Sequence, residues 1–246
     1  MKVSVITVVY NEENVIERTM ESVCCQNYDD LEYWVIDGAS TDDTLEKVKR
    51  YEERFLQKGI AFHYISEPDQ GIYDAMNKGV RLATGDVIGF INAGDTYEEG
   101  TVETAVRQFK ETDCDLLFGD LQIITSKGRK IRKKARQRRF YQTSRDWNHP
   151  SMFVKRGCYR EYPFAGKGLH DDYAFYLKMR RQKRKIVVVN QRMATFRMGG
   201  VSNERNWQSV KRRIHDRYRY CYRENGYGRW YLAECVLTEV VKWLLG

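Results

Sequence analysis

Metal-type cysteine spacing is missing from this sequence. Its six cysteines, Cys24, Cys25, Cys114, Cys158, Cys221 and Cys235, form no C-x-x-C pair, and the adjacent Cys24 and Cys25 are poorly placed to bridge. Most stand in apolar surroundings. The expectation is reduced thiols in a cytoplasmic protein, with neither a disulfide framework nor a zinc site. Histidine is scarce too: His63, His149, His170 and His215 are dispersed. No run of 18 apolar residues exists, so no membrane-spanning helix is expected. Val3 to Val9 is short, β-branched and followed directly by Asn11-Glu12-Glu13, which does not read as a secretion signal. Two glycine-rich phosphate cradles are also absent: neither G-x-G-x-x-G nor G-x-x-x-x-G-K-[ST] occurs. A diphosphate bound here would need a metal or basic side chains to balance its charge.

What is present is an α/β alternation of 246 residues with net charge +8 and a pI near 9.1. Length allows one sizeable core plus an extension. The charge favours anionic partners such as nucleotides, nucleic acid or an acidic membrane. Val3 to Tyr10 is β-branched almost throughout and reads as a strand. Val15, Ile16, Thr19, Met20 and Val23 then share a helical face, with Asn11 as candidate N-cap. Leu31 to Ile36 is a second strand. Ser40 and Asp43 resemble a capping box opening a helix to about Lys58. Ile60 to Ile65 is a third strand. Ile72 to Ala83 carries a helical stripe closed by Gly85. Val87 to Ile91 is a compact apolar run suited to a central parallel strand. A helix from about Glu99 to Thr112 and a strand near Leu116 to Gly119 follow. This predicts a mostly parallel, Rossmann-like sheet with helices on both faces.

After Asp120 the alternation stops. Leu121 to Ile131 reads as a hairpin around Ser126-Lys127-Gly128. Nine of the thirteen residues from Lys127 to Arg139 are Lys or Arg, either a solvated edge or an anion-binding surface. His149 to Val154 reads as extended. A helix begins at Asp171 or Asp172 and runs to about Gln182. Two strands, Lys185 to Val189 and Met193 to Arg197, precede the turn Gly199-Gly200-Val201-Ser202. A C-terminal helical extension follows: an apolar stripe of Trp207, Val210, Ile214, Tyr218 and Cys221 on a helix rich in Arg and Lys, then an apolar face from Ala233 to Leu245.

Three strand ends carry polar groups where open α/β sheets bind ligands: Tyr10, Asp37 and, after Asn92-Ala93-Gly94, Asp95. Asp95 could hold a divalent cation or a ligand hydroxyl, or simply cap the next helix. The alternative for Asp37 is an Asx-turn cap.

Four stretches, taken together and in order, resemble glycosyltransferase family 2. They are Thr7-Val8-Val9-Tyr10-Asn11-Glu12, Ile36 to Asp42, Glu67 to Gly79, and Asn92-Ala93-Gly94-Asp95. The resemblance covers about residues 1–200 and is nearest to bacterial O-antigen, capsule or colanic-acid enzymes. It implies the GT-A fold and inverting sugar transfer from a nucleotide-diphospho-sugar. Thr7, Tyr10, Glu12, Asp37 and Asn92 would serve the nucleotide, with Asp37 accepting from a uracil N–H. Gly71, Asp74 and Lys78 would lie near the diphosphate or sugar, though Lys78 could be a solvated helix residue. Asp95 would hold Mg²⁺ or Mn²⁺. Asn92 and Gly94 stand where Asp is common in the family, which leaves one carboxylate and leaves metal dependence open. Asp172, beside Asp171, matches the family's base. His149 would contact acceptor or phosphate, or be structural. Gly199 and Gly200 resemble a loop that closes over the donor.

The expected division is 1–120 for the nucleotide-sugar half, 121–203 for the acceptor half and 204–246 for a basic amphipathic tail. Expected partners are a nucleotide-sugar donor, a lipid-linked glycan acceptor and an anionic membrane surface, with no nucleic acid. From Trp230 to Leu245 the apolar face is broken by Glu234, Glu239 and Lys242, which suits a helix lying in the membrane interface. The competing expectation is that this helix packs on the catalytic domain or on a second subunit in a homodimer. Rival functions are a sugar-phosphate nucleotidyltransferase, which would want a glycine- and basic-rich loop after strand one, and a nucleic-acid binder using the basic run.

Overall fold

The computed structural model describes residues 1–140, 142–198 and 206–245, the last four as backbone alone. In chain order the strands are β1 (Val3–Val9), β2 (Leu31–Asp37), β3 (Ala61–Ser66), β4 (Val87–Phe90), β5 (Thr96–Tyr97), β6 (Leu116–Ile124), β7 (Lys130–Lys133), β8 (Phe153–Lys155) and β9 (Ile186–Arg197). The helices are α1 (Ile16–Cys24), α2 (Thr44–Arg50), α3 (Glu52–Gln57), α4 (Ile72–Leu82), α5 (Thr101–Thr112), α6 (Arg156–Glu161), α7 (Asp171–Arg181), α8 (Trp207–Asp216) and α9 (Tyr231–Leu245).

The described strands form one sheet of order β3-β2-β1-β4-β8-β6-β9-β5, with β7 hairpinned onto β6. β3, β2, β1 and β4 are mutually parallel. β8 enters antiparallel to both β4 and β6, and β9 lies parallel to β6. The expected α/β class holds, with a mostly parallel first half. Side chains of β1 alternate between two cores: Val5 and Val9 face α1, α3 and α5, while Ile6 and Val8 face α4 and α7. Both faces are therefore covered, and every residue of β1 is buried. α4 lies close on β1 because Gly79 has no side chain. A Cβ there would sit 2.7 Å from Ile6 Cγ2.

Several local expectations are corrected. Asn11 does not cap α1, which starts at Ile16. Ser40 does not cap α2, whose N-cap is Asp43. The helix expected to reach Lys58 divides at Tyr51. α4 ends at Leu82, and Gly85 instead fits tightly against Ser4. His149–Ser151 is a 3₁₀ turn rather than extended chain. The two strands expected at 185–197 are one, with a register shift against β6 between Gly119 and Leu121.

The tail folds back on the domain. Asn206 caps α8, accepting from the N–H groups of Gln208 and Ser209. A π-helical turn, Arg217–Arg223, continues it. Cys221, Tyr222, Tyr231 and Cys235 join the core that contains Tyr173 and Tyr176 of α7. Glu239 forms ion pairs with Arg213 at 2.8 Å and Arg217 at 3.1 Å, all three buried. One face of α9 is thus packed on the catalytic domain, as the competing expectation had it. The opposite face leaves Leu232, Val236, Leu237 and Val240 exposed. No helix among the described residues is long and apolar enough to cross a membrane. All six cysteines are free thiols, and only Cys25 is exposed.

Candidate active site

The strand order reverses between β1 and β4, and the carboxyl ends flanking that point are where open α/β sheets bind ligands. The loops after β1 and β2 are joined there. Asn11 (φ 52°) and Ala39 (φ 61°) both adopt left-handed backbone, a costly conformation for residues with a Cβ. Their turns interlock: Asn11 N–H donates to Ser40 Oγ at 2.8 Å, and Thr41 N–H donates to Asn11 Oδ1 at 2.8 Å. Asp37 is buried beneath. It accepts from Ser40 N–H at 3.1 Å, Ser40 Oγ at 2.5 Å and Ser66 Oγ at 2.6 Å. Its carboxylate therefore closes an Asx-type turn. Tyr10 is exposed and borders Gly38 and Asp69. A Cβ on Gly38 would lie 2.6 Å from Asp69 Oδ2 and 3.5 Å from Tyr10 Cδ2. Glu12 is exposed, with its carboxylate in electrostatic reach of Asp42 and Arg18. Thr7 is fully buried, donates to Ile91 O at 2.8 Å and accepts from Tyr33 Oη at 2.9 Å, so its side chain ties strands together.

The loop before α4 is held by its own helix. Gly71 (φ 108°) donates its N–H to Asp69 Oδ1, and Asp74 accepts from Gln70 N–H. Lys78 donates to Pro68 O at 2.7 Å and pairs with Glu67 at 3.0 Å, with its side chain only 13% exposed. It is a loop clamp, not a solvated helix residue.

Asp95 does not cap a helix. α5 begins beyond Gly100, and the Asp95 carboxylate instead accepts Arg197 N–H at 3.2 Å. Burial raises its pKa to about 7, opposed by the Arg197 N–H and the charges of Arg18 and Arg197. Asn92 Oδ1 is buried nearby in sequence without a hydrogen-bond partner. An ionised carboxylate and an unsatisfied amide oxygen are the oxygen donors that Mg²⁺ or Mn²⁺ takes. No group of three His, Cys, Asp or Glu gathers among the described residues. The residues present thus fit an ion held by Asp95 and Asn92, with ligand oxygens and water supplying the rest.

The Asp171-Asp172 pair divides its roles. Asp171 is 4% exposed and accepts two backbone N–H groups, from Lys167 at 3.0 Å and Gly168 at 3.1 Å. It shapes the loop before α7. Asp172 keeps 20% of its side chain exposed. Its Oδ1 accepts Tyr73 Oη at 3.0 Å and Tyr173 N–H at 2.8 Å, while Oδ2 faces His149 Nδ1 at 3.8 Å. Burial lowers the His149 pKa, although Asp172 opposes that, and burial holds the Tyr73 phenol well above its usual value. Asp172 is therefore flanked by a neutral imidazole and a protonated hydroxyl. His149 Nε2 has no hydrogen-bond partner, and its ring lies between Phe90 and Trp147.

Sequence reasoning missed Tyr73, Arg18 and Arg197. Tyr73 stands inside a quoted motif, one turn from Met76 on the buried face of α4, and was given no role. Arg18 and Arg197 reach Asp95 from α1 and from the end of β9, elements remote in sequence. The expected donor loop at Gly199 and Gly200 lies outside the described residues.

Comparison with known proteins bears on the family and the fold. The family model for glycosyl transferase family 2 matches residues 4–197. A "PGL/p-HBAD biosynthesis glycosyltransferase" of Mycobacterium bovis is 33% identical over 120 residues, which are 48% of this chain and 46% of the relative. An uncharacterized glycosyltransferase of Mycobacterium tuberculosis is 40% identical over 96 residues, 39% of this chain and 34% of the relative. The chain thus spans less than half the length of these curated relatives. Among solved structures, mannosyltransferase PcManGT of Pyrobaculum calidifontis, in complex with GDP-Man and Mn²⁺, superposes with a TM-score of 0.71 at 21% identity, over 99% of this chain and 74% of its own. TarS 1–349 of S. aureus in complex with UDP-GlcNAc gives 0.63 at 18% identity, over 98% and 72%. These likenesses show a shared GT-A-type fold. With the family model covering most of its length, the chain belongs to glycosyl transferase family 2.

Proposed function

We propose that this protein is an inverting glycosyltransferase that moves a sugar from a nucleotide-diphospho-sugar to a lipid-linked glycan acceptor in cell-surface glycan synthesis. The carrying observation is Asp172: a partly exposed carboxylate fixed by Tyr73 and Tyr173, next to a buried neutral His149. Asp172 accepts the proton of the acceptor hydroxyl. The hydroxyl oxygen attacks the anomeric carbon, and the bond to the β-phosphate oxygen breaks with its electrons leaving on the nucleoside diphosphate. Attack opposite the leaving group inverts the anomeric centre. Tyr73 holds the carboxylate in place. Arg18 and Arg197 lie where they can offset diphosphate charge. A divalent ion on Asp95, when bound, would neutralise the departing diphosphate. Tyr10 and Asp69, which meet at Gly38, are the groups offered to the base.

UDP is the favoured nucleotide, in keeping with a solved neighbour captured with UDP-GlcNAc. A GDP complex of another neighbour keeps guanine in the comparison. The net charge of +8 and the exposed apolar side of α9 support work at an anionic membrane face, peripheral rather than spanning. Thermal melting against a panel of nucleotide sugars, with and without Mn²⁺, tests the reading. A true donor at 100 times its Kd adds about 2.7 kcal/mol, and no response to any nucleotide sugar would refute it.

A further inference from the structure

A concave site is lined by none of the candidate active-site residues. It is a cavity of about 570 Å³ between the β7 hairpin and α9. Arg132, Lys133, Lys134, Arg136, Arg138 and Arg145 line it, against Asp146 and Glu234, so six cations face two anions, an excess of four. Both acids are already engaged. Asp146 binds Arg138 at 3.0 Å and Thr143 at 2.9 Å, and Glu234 accepts from Tyr222 Oη and Thr238 Oγ1. Arg132 is paired with Asp120, and Lys133 donates to Trp147 O. Lys134, Arg136 and Arg145 are exposed and have no ion-pair partner among the described residues. Like charges gathered this closely repel one another, and an anion in the cavity would relieve that.

Two further features narrow the anion's chemistry. Leu237 is on the cavity wall, and with Leu232, Val236 and Val240 it forms the unpacked face of α9, these four being 44–59% exposed. A basic cavity that runs onto an apolar helix face matches an anion carrying a hydrocarbon chain. The position matters too. Asp146, on the wall, is three residues before His149, which faces Asp172. That is at most roughly 11 Å of chain, so the cavity wall and the residue facing Asp172 belong to one short segment.

We propose that this cavity binds the diphosphate head of a lipid-linked acceptor, with the lipid chain lying along the exposed face of α9. The proposal rests on the glycosyl-transfer reading above and supplies its acceptor site. Head and chain contribute separately, and the acceptor hydroxyl is presented to Asp172 from the α9 side of the cleft.

The test is calorimetric titration of the full chain with farnesyl diphosphate below its micelle concentration, in saturating UDP and Mn²⁺ to fill the donor site. Expected is one site, with inorganic diphosphate and farnesol each binding more weakly than farnesyl diphosphate. Arg136→Ala with Arg145→Ala should weaken farnesyl diphosphate roughly tenfold or more, the usual scale for losing charged hydrogen bonds. Leu237→Ser should weaken farnesyl diphosphate but not inorganic diphosphate. Lys127→Ala with Arg129→Ala, the same charge change at the hairpin tip, should leave all three unchanged. Wild-type affinity in the cavity pair, or equal losses in the hairpin-tip pair, overturns the proposal. So does attachment to phosphatidylglycerol vesicles without binding of farnesyl diphosphate, which would make the patch a general membrane contact. Intact farnesyl diphosphate binding with no turnover of any nucleotide sugar would instead count against the transfer reading and leave the cavity standing.

Discussion

Replacing Glu239 by Ala tests whether the tail is part of the folded domain. Glu239, Arg213 and Arg217 are 2%, 6% and 3% exposed, so the carboxylate compensates two cations that water barely reaches. Removing it leaves both guanidinium groups buried without that anion. Breaking one buried pair costs about 3–5 kcal/mol. For a chain of this size, about 2–4 °C is lost per kcal/mol, so Tm should fall by roughly 6–20 °C. Urea unfolding should show a lower midpoint with an unchanged slope. Replacing the three together by Met, Met and Leu should recover much of the loss, because an apolar triad removes the need for compensation. Ending the chain after Asn225 should prevent folding outright, since Tyr231 and Cys235 leave the core. A Glu239→Ala protein melting within about 2 °C of the parent would refute the reasoning. The tail would then be an appendage that folds and binds apart from the domain.

Other consequences follow from the site. Tyr73→Phe removes the hydroxyl that donates to Asp172 and should lower transfer roughly tenfold while the melting curve stays near the parent's; an unchanged rate would separate Tyr73 from the chemistry. Asp95 has a folded pKa of about 7, above its unfolded value, so the folded state holds its proton more tightly. Its contribution is fully present below about pH 4 and is lost as pH rises to about 7. Unfolding measured in EDTA should show Asp95→Asn gaining on the parent over that window, and parallel pH profiles for the two proteins would contradict the assignment.

The sheet and most of its helices were legible because burial on both faces writes itself into local patterns. β1 is apolar or β-branched at nearly every position, and Val15 to Val23 repeats at helical spacing. Three of the four motifs fell at strand ends and the loops after them, and the fourth runs from a loop into α4. What failed was decided by distant partners. Asn11 and Ser40 are good caps by residue type, yet each bonds to the other's loop across about thirty residues. β5 has two residues and is defined only by β9. Glu234 and Glu239 read as interruptions of an apolar helix face. In the fold they are its buried anchors, through Tyr222, Arg213 and Arg217, none of which a helical period reveals. The Asp171-Asp172 pair was legible as a pair. Which member is free to act was not, because Asp171 is consumed by the N–H groups of Lys167 and Gly168.

That division supports the most direct test of the account. Transfer and UDP affinity should be measured side by side for Asp172→Asn and Asp171→Asn. The account expects Asp172→Asn to lose roughly 10²-fold or more in transfer with UDP affinity nearly unchanged. Asp171→Asn should lose stability first, through its loop. Full turnover by Asp172→Asn, or a folded but inactive Asp171→Asn, would contradict the claim that Asp172 is the base.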